Sequence, residues 1–151
     1  MAQEGLARLL AAFETGVSYQ PLQDEAALPH TFANGLPPVY AVPAQADADP
    51  EAIARDAREA VRGRHACVLV PGQRFDRYGT RHGRGGGWYD RFLASIPPDW
   101  VRIGCATPAQ LSDAPLARAA WDEPVDWVCV VDAGAVIALH ETSARRSHLL
   151  R

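Results

Sequence analysis

The sequence contains no lysine, so its 15 basic residues other than histidine are all arginines. This absence excludes a Walker-type P-loop, a Schiff-base mechanism, and a lysine that acts as nucleophile or base. A site for an anionic ligand in this chain therefore depends on arginine.

Long apolar runs and paired cysteines are also missing. No stretch approaches the roughly 20 apolar residues of a membrane span, and no signal peptide is visible, so we expect a cytoplasmic protein with no membrane partner. Cys67, Cys105 and Cys129 lie in apolar runs without CxxC spacing, which predicts buried free thiols. The length fits one domain over residues 1–151, as a monomer or homodimer, and a net charge of −3 gives no general attraction for nucleic acid.

What the chain does have is a glycine-rich run over residues 70–91, VPGQRFDRYGTRHGRGGGWYDR. It holds six of the 12 glycines and five of the 15 arginines. The apolar segment 66–70 leads into it, and a segment with apolar residues at helical spacing (88–96) leaves it. This order predicts a strand, a long loop and then a helix.

The composition of this run indicates a binding site for a polyanion. Glycines let backbone N–H groups converge on one point, the following helix adds its positive N-terminal end, and Arg81 and Arg84 carry forks suited to phosphate oxygens. The carboxylate of Asp90 would repel phosphate unless a divalent cation lay between them, as Mg²⁺ does in nucleotide sites. We therefore predict a Mg-nucleotide site; the alternative is an ordinary flexible loop with solvated arginines.

For the rest of the chain, the sequence predicts alternating helices and strands. We predict a short helix within residues 1–15, a mostly irregular segment over 16–50 with a possible strand at 39–42, and a helix from the Asp49 cap to about Arg62. Strands follow at 66–70, 101–106 and 125–131, with a hairpin partner at 135–139, one helical turn at 115–120, and a solvated tail from His140 that includes Arg145. The pattern is typical of an α/β fold with its ligand at the carboxyl end of a strand.

The glycine-rich run resembles the signature of the 5-formyltetrahydrofolate cyclo-ligase (methenyltetrahydrofolate synthetase) family. That signature has a strand ending in Pro-Gly, then Phe-Asp, Gly-x-Arg-Leu-Gly, a glycine run and Tyr-Tyr-Asp-Arg. The likeness continues through Ile103-Gly104, Gln110-Leu111, Pro115 and the segment WDEPVD at 121–126, and it covers roughly residues 66–131. His82, Trp88 and Trp121 stand where the family commonly has leucine, tyrosine and histidine.

The resemblance implies a three-layer αβα fold with a largely parallel sheet and a C-terminal hairpin, Rossmann-like and of the NagB/RpiA/CoA-transferase type. It also implies ATP and Mg²⁺ as cofactors and a reduced folate as substrate. Asp90 and Asp122 match the magnesium aspartates, and Arg81 and Arg84 become the catalytic side chains. The tract that would wrap the ATP phosphates comprises Arg81, Gly83, Arg84, Gly85, Gly86, Gly87, Trp88 and Tyr89.

Three functions remain open from the sequence. The first is an ATP- and Mg-dependent enzyme that converts 5-formyltetrahydrofolate to 5,10-methenyltetrahydrofolate with release of ADP and phosphate. The second is a nucleotide-binding homologue without ligase activity, because only 70 residues precede Pro71 and the family's N-terminal folate and ATP segment is not recognisable. The third is nucleic-acid binding through the arginine–glycine–aromatic segment 83–89; a single copy and an acidic net charge disfavour it.

Overall fold

A computed structural model describes residues 1–36, 38–44 and 48–145 of the chain. Its helices and strands are α1 Ala2–Leu10, β1 Thr15–Tyr19, α2 His30–Gly35, β2 Pro38–Val42, α3 Pro50–Val61, β3 Ala66–Val70, β4 Arg74–Phe75, β5 Arg81–His82, α4 Trp88–Ala94, β6 Val101–Ala106, β7 Trp127–Asp132 and β8 Ala135–Glu141. Among these, no helix has the length and apolar character needed to cross a membrane.

Six strands form the main sheet, in the order β2-β1-β3-β6-β7-β8. All neighbours are parallel except β7 and β8, which form the C-terminal antiparallel hairpin. The hairpin turns through Ala133 (φ 50°) and Gly134 (φ 85°), and two successive positive φ angles match the twist of the strands. The predicted α/β fold with a largely parallel sheet and a final hairpin is confirmed.

The four helices pack in two pairs. α1 and α2 contact each other and β8, whereas α3 contacts α4, β1 and β2. The approach of α2 to the sheet is close, because a Cβ on Gly16 of β1 would lie 2.8 Å from the ring of Phe32. Together with the sheet, the two pairs give the predicted three-layer αβα architecture.

α3 shows how the sequence sets its own boundaries. The side chain of Asp49 accepts a hydrogen bond from the backbone N–H of Ala52 (3.3 Å), and Pro50 occupies the first helical position. The helix ends where Arg62 (φ 57°) and Gly63 (φ 73°) enter the left-handed region. The bounds of α3 agree with those predicted for this helix. The bounds of β3 and β6 also agree with those predicted for these strands.

The N-terminal segment differs from its prediction, because the stretch expected to be mostly irregular contains both β1 and α2. β1 has the sequence TGVSY and is buried at every position. Its glycine and hydroxyl residues interrupt any apolar run, so periodicity did not identify it; hydrogen bonds to β2 and β3 on both sides satisfy its backbone.

Two smaller differences concern the chain after β6. The helical turn expected at 115–120 is absent, and a single 3₁₀ turn forms instead at Pro108–Gln110. There the side chain of Gln110 accepts a hydrogen bond from the backbone N–H of Thr107 (2.9 Å), which completes a capping box. The strand β8 also extends to Glu141, two residues beyond the expected end.

Arg145 is not part of a solvated tail, because only 6% of it is exposed. Its Nε and Nη2 atoms donate to the two carboxylate oxygens of Asp126 (3.1 and 3.0 Å), and its guanidinium also donates to the carbonyls of Pro98 and Trp100 (both 3.1 Å). A rigid fork can satisfy all four acceptors at once. The other basic residues predicted for that tail, Arg146, His148 and Arg151, lie outside the described residues.

Removing this fork should destabilise the protein strongly. In Arg145→Leu the carboxylate of Asp126 stays buried without its partner, so we expect the free energy of unfolding to fall by about 3 kcal/mol or more. Urea unfolding followed by circular dichroism measures this. The matched control is Arg55→Leu on the exposed face of α3, which should change stability by no more than about 0.5 kcal/mol; equal midpoints for the two variants would contradict the role assigned to Arg145.

Candidate functional site

A cavity of about 730 Å³ opens at the carboxyl ends of β1 and β3. In an open parallel sheet, ligands bind at the carboxyl ends of the strands, where the direction of winding reverses. In this sheet that point lies between β1 and β3, because β2 lies on one side of β1 and β3 on the other. All residues predicted for the site line this one cavity: Arg81, Gly83, Arg84, Gly85, Gly86, Gly87, Trp88, Tyr89, Asp90 and Asp122.

The first half of the glycine-rich run is a rigid support for the second half. The ring of Phe75 is fully buried against β6, so close to Gly104 that a Cβ there would lie 2.5 Å from it. Asp76 accepts hydrogen bonds from the backbone N–H groups of Tyr78 (2.9 Å), Thr80 (2.9 Å) and Leu116 (2.8 Å). Burial opposes its ionisation, but these N–H groups hold the pKa of Asp76 below its ordinary value.

Arg81 brings a buried positive charge to the cavity wall. It is 6% exposed, its Nε donates to the carbonyl of Pro71 (2.5 Å), and its guanidinium carbon lies 4.7 Å from the ring centre of Tyr89. Its Nη atoms have neither a hydrogen bond nor an ion pair with any described residue. Burial lowers the pKa of Arg81, whereas the nearby Tyr89, Asp90, Glu25 and Asp122 act in the opposite direction.

Gly83 is the residue that leaves room for this side chain. A Cβ at that position would lie 3.1 Å from Nη1 and 3.2 Å from Nη2 of Arg81. The loop backbone therefore passes directly beside the two nitrogens that have no partner. An anion bound to the guanidinium would also lie near the backbone of this loop.

Arg84, the second predicted arginine, is already paired. Its Nη2 forms a hydrogen-bonded ion pair with Asp24 and lies 3.7 Å from Glu25. Asp24 also accepts from the side-chain amide of Gln73 (3.2 Å), and the hydrogen bond from Arg84 is the main cause of its lowered pKa. Arg84 is about half exposed at the cavity, so a ligand anion has to compete with two carboxylates for it.

The aromatic residues at the start of α4 are largely engaged in packing. The ring of Trp88 stacks on Phe92, with centroids 5.7 Å apart and planes at 17°, and its Nε1 donates to the carbonyl of Ala48 (2.6 Å). Tyr89 meets both rings edge-on. Burial raises the pKa of Tyr89 well above its ordinary value, so its hydroxyl stays protonated.

Asp90 and Asp122 place two carboxylates on the same cavity wall. One oxygen of Asp90 accepts from the backbone N–H of Glu123 (2.9 Å), and one oxygen of Asp122 accepts from that of Ala119 (2.7 Å). Burial is the main cause of the raised pKa of Asp90; the charges of Asp122 and Glu123 add to it, whereas the Glu123 N–H and Arg81 oppose it. The charge of Arg81 therefore offsets only part of the cost of ionising Asp90 in this cavity.

These two carboxylates are too few to enclose a metal ion with protein ligands alone, but they suit Mg²⁺. Among the described residues, no group of three or more histidine, cysteine, aspartate or glutamate side chains could hold a metal ion. Mg²⁺ is typically held by one or two carboxylates, and substrate phosphates complete its coordination. The donor set thus fits a metal that binds together with a phosphate-bearing ligand.

A buried arginine fixes the loop that carries Asp122. Arg102 pairs with Glu123 through Nη2 (3.1 Å) and also donates to the carbonyls of Leu93 (3.0 Å), at the end of α4, and Pro124 (3.1 Å). The loop is therefore tied to the helix that carries Asp90. The backbone N–H of Arg102 donates to Asp126 (2.7 Å), which continues the network to the buried fork of the C-terminal segment.

Sequence reasoning missed the part of the cavity that the loop after β1 forms. Gln20, Leu22 and Glu25 follow β1 and line the cavity. The side chain of Glu25 is 8% exposed, and one of its oxygens accepts from the backbone N–H of Leu22 (2.8 Å). These residues were missed because β1 was not recognised; a strand predicted there would have placed its following loop beside the one after β3.

Comparison with known proteins identifies the family. The model of the 5-formyltetrahydrofolate cyclo-ligase family matches residues 36–131, which is more than half of the chain. The chain belongs to this family. The match contains the glycine-rich run, Asp90 and Asp122, whereas Gln20, Leu22 and Glu25 precede it. Among curated proteins, none matches the sequence.

A solved structure has a similar fold. A 5,10-methenyltetrahydrofolate synthetase from Mycoplasma pneumoniae matches with a TM-score of 0.54 and 22% sequence identity. The match covers 83% of this chain and 80% of that chain, so the two chains are similar in length. At 22% identity, this likeness shows that the chain has the same fold as the Mycoplasma protein.

The burial of Asp90 predicts a pH-dependent stability. Its folded-state pKa is raised, so its ionisation destabilises the folded protein as pH increases through that pKa. Asp90→Asn should therefore raise the melting temperature at about pH 7, and the gain should vanish below about pH 3, where the carboxyl is protonated in both states. Thermal unfolding at both pH values tests this, with the exposed Asp113→Asn as control. A variant less stable than wild type at neutral pH would contradict the prediction.

The pairing of Arg84 predicts that Asp24 weakens anion binding. Asp24→Asn should free Arg84 and raise the affinity for inorganic tripolyphosphate about twofold to fivefold, the effect expected for an exposed ion pair. Calorimetry at low salt measures the affinity, and the difference should shrink as salt increases. Asp113→Asn changes the net charge equally at an exposed position that does not line the cavity. Equal gains in both variants would show a general charge effect and not the release of Arg84.

Proposed function

We propose that this protein is an ATP- and Mg²⁺-dependent 5-formyltetrahydrofolate cyclo-ligase, which forms 5,10-methenyltetrahydrofolate, ADP and phosphate. The observation that carries the proposal is the buried guanidinium of Arg81, whose Nη atoms have no partner among the described residues and face the same cavity as Asp90 and Asp122. A buried guanidinium with free donors, in the same cavity as two carboxylates with free oxygens, fits a ligand that brings both phosphate and metal.

In this proposal the triphosphate lies along the glycine-rich run. Arg81 and Arg84 would bind phosphate oxygens, and the backbone N–H groups of residues 83–87 would add donors without side chains in the way. Positive charge fixed before the reaction stabilises the charge that develops on a transferring phosphoryl group. Tyr89 would act by holding the guanidinium of Arg81 in place through the contact at 4.7 Å.

Asp90 and Asp122 would hold Mg²⁺ in this proposal. When bound, the ion would neutralise phosphate charge next to these carboxylates. The backbone N–H groups of Glu123 and Ala119 fix one oxygen of each carboxylate and leave the other oxygen without a hydrogen bond to the described residues. The protein's own contribution is therefore to hold these two oxygen donors at a set spacing.

The proposed reaction needs no side-chain nucleophile. The formyl oxygen of the folate would attack the γ-phosphate with loss of ADP, and N10 would then close the ring as that oxygen leaves in phosphate. The cysteines do not offer a competing mechanism: all three are fully buried, and burial raises the pKa of Cys67 and Cys129 to about 12. His82 is occupied as well, because its Nε2 contacts the carbonyl of Ala117 (2.6 Å).

The loop after β1 would receive the reduced folate. A cavity of about 730 Å³ lies within the usual range of small-molecule sites, and Gln20, Leu22 and Glu25 line it. Glu25 supplies a nearly buried carboxylate oriented by the backbone of Leu22. Such a carboxylate can accept hydrogen bonds from the N–H groups of a pteridine ring.

A second function is nucleotide binding without ligase activity. Two observations favour it: the family match begins at residue 36 and so excludes β1 and its following loop, and Arg84 is paired with acidic residues of that loop. In this case MgATP would bind along the glycine-rich run, but no folate would react.

The proposed reaction predicts a direct assay. With 5-formyltetrahydrofolate and MgATP the wild-type protein should produce the absorbance of methenyltetrahydrofolate. Asp90→Ala should abolish turnover, and Arg81→Ala should lower kcat by about 100-fold or more, as expected for the loss of a charged donor to the transition state. Arg77→Ala is the matched control, because this arginine of the same run is exposed and lies outside the cavity; its activity should equal that of wild type.

Other outcomes of this assay separate the functions. Calorimetric binding of MgATP without turnover would support the nucleotide-binding homologue. A protein that binds neither MgATP nor the folate, and instead binds RNA in a steeply salt-dependent and Mg-independent way, would contradict both.

A further inference from the structure

Trp121 is an exposed aromatic residue at the edge of the cavity. Of its surface, 73% is accessible, and it lines the cavity beside Asp122. Among the described residues its ring has no aromatic contact and its Nε1 has no hydrogen bond. Trp100, by comparison, is only 4% exposed. Because tryptophan side chains are usually well buried in folded proteins, a ring left open at a cavity suggests that a ligand covers it.

The loop that carries Trp121 is held in place on both sides. The backbone N–H of Asp122 donates to the carbonyl of Ala119 (3.1 Å), and its carboxylate accepts from the Ala119 N–H (2.7 Å), which closes a tight turn around Trp121. The next residue, Glu123, is tied to Asp90 and to the buried Arg102. A ligand that stacks on this ring would therefore lose little free energy by ordering the loop.

The cavity that Trp121 lines suits a flat ring that is attached to charged groups. Apolar groups of Leu22, Pro43 and Ala44 line the same cavity. The neighbouring Asp122 belongs to the proposed metal and phosphate side, so a ring on Trp121 would lie next to the charged part of the ligand. The other aromatic side chains of the cavity are less free, because Trp88 stacks on Phe92 and Tyr89 lies against Arg81.

We propose that Trp121 is a stacking surface for a flat heteroaromatic ring of the ligand, either the purine base of the nucleotide or the pteridine of the folate. This inference rests on the proposed function, which supplies both ring-bearing ligands. A stacked ring would cover the exposed face of the tryptophan, and the substitution of this position would change affinity without any change in phosphate binding.

Three probes test the role of Trp121: MgATP, 5-formyltetrahydrofolate and inorganic tripolyphosphate, the last of which has charge but no ring. Trp121→Ala should weaken the binding of at least one ring-bearing ligand by about tenfold and leave the tripolyphosphate affinity unchanged. Trp121→Phe should keep most of the affinity. The control is Tyr78→Ala, which removes an exposed aromatic side chain (57% exposed) that does not line the cavity.

The outcomes assign the ring or overturn the inference. A loss for MgATP alone identifies the purine, a loss for the folate alone identifies the pteridine, and losses for both show that the two rings use the same surface. Unchanged affinity for both ligands, or an equal loss for tripolyphosphate, overturns the inference. Turnover separates it from the proposed function: wild-type protein that binds both ligands through Trp121 without turnover contradicts the proposed function alone, and binding of neither ligand overturns both.

Discussion

The arrangement of the site depends on a buried charge that has no close partner in the described part of the protein. The guanidinium of Arg81 is buried with no acidic side chain in contact with its Nη atoms, and in the same cavity burial, together with the charge of Asp122, raises the pKa of Asp90. Burial makes both features unfavourable in the free protein. A ligand that supplied phosphate and a divalent cation would remove both costs, so affinity for such a ligand and the instability of the free site have the same origin.

The scaffold holds these charges in place through buried contacts. The strands β1 and β3 end side by side at the switch point of the sheet, and the loop after β3 is fixed by the buried ring of Phe75 and by the turn around Asp76. On the other side, Arg102 ties the loop of Asp122 to the end of α4. Buried hydrogen-bonded ion pairs are costly to form, but they fix geometry when all partners are present.

The sequence predicted the segments that carry a clear local pattern and missed the segments that do not. The helix from Pro50, the strand β3 and the glycine-rich run were predicted because capping residues, a continuous apolar run and a specific motif mark them locally. β1 was missed because its alternating small, hydroxyl and apolar residues resemble a loop; only pairing with two neighbours makes it a buried strand. The ion pairs of Arg84 and Arg145 could not be predicted, since their partners lie far away in the chain.

By itself, the sequence determined which residue types the site can offer: no lysine, glycines that expose backbone N–H groups, arginines whose forks suit phosphate oxygens and an aspartate that suits a metal. These are properties of residue types and of short spacings, which no fold has to supply. The tertiary structure alone decided which charges remain unpaired, because that depends on contacts between distant segments. It buried Arg81 without a partner, paired Arg84 with the loop after β1, and left Trp121 open at the cavity.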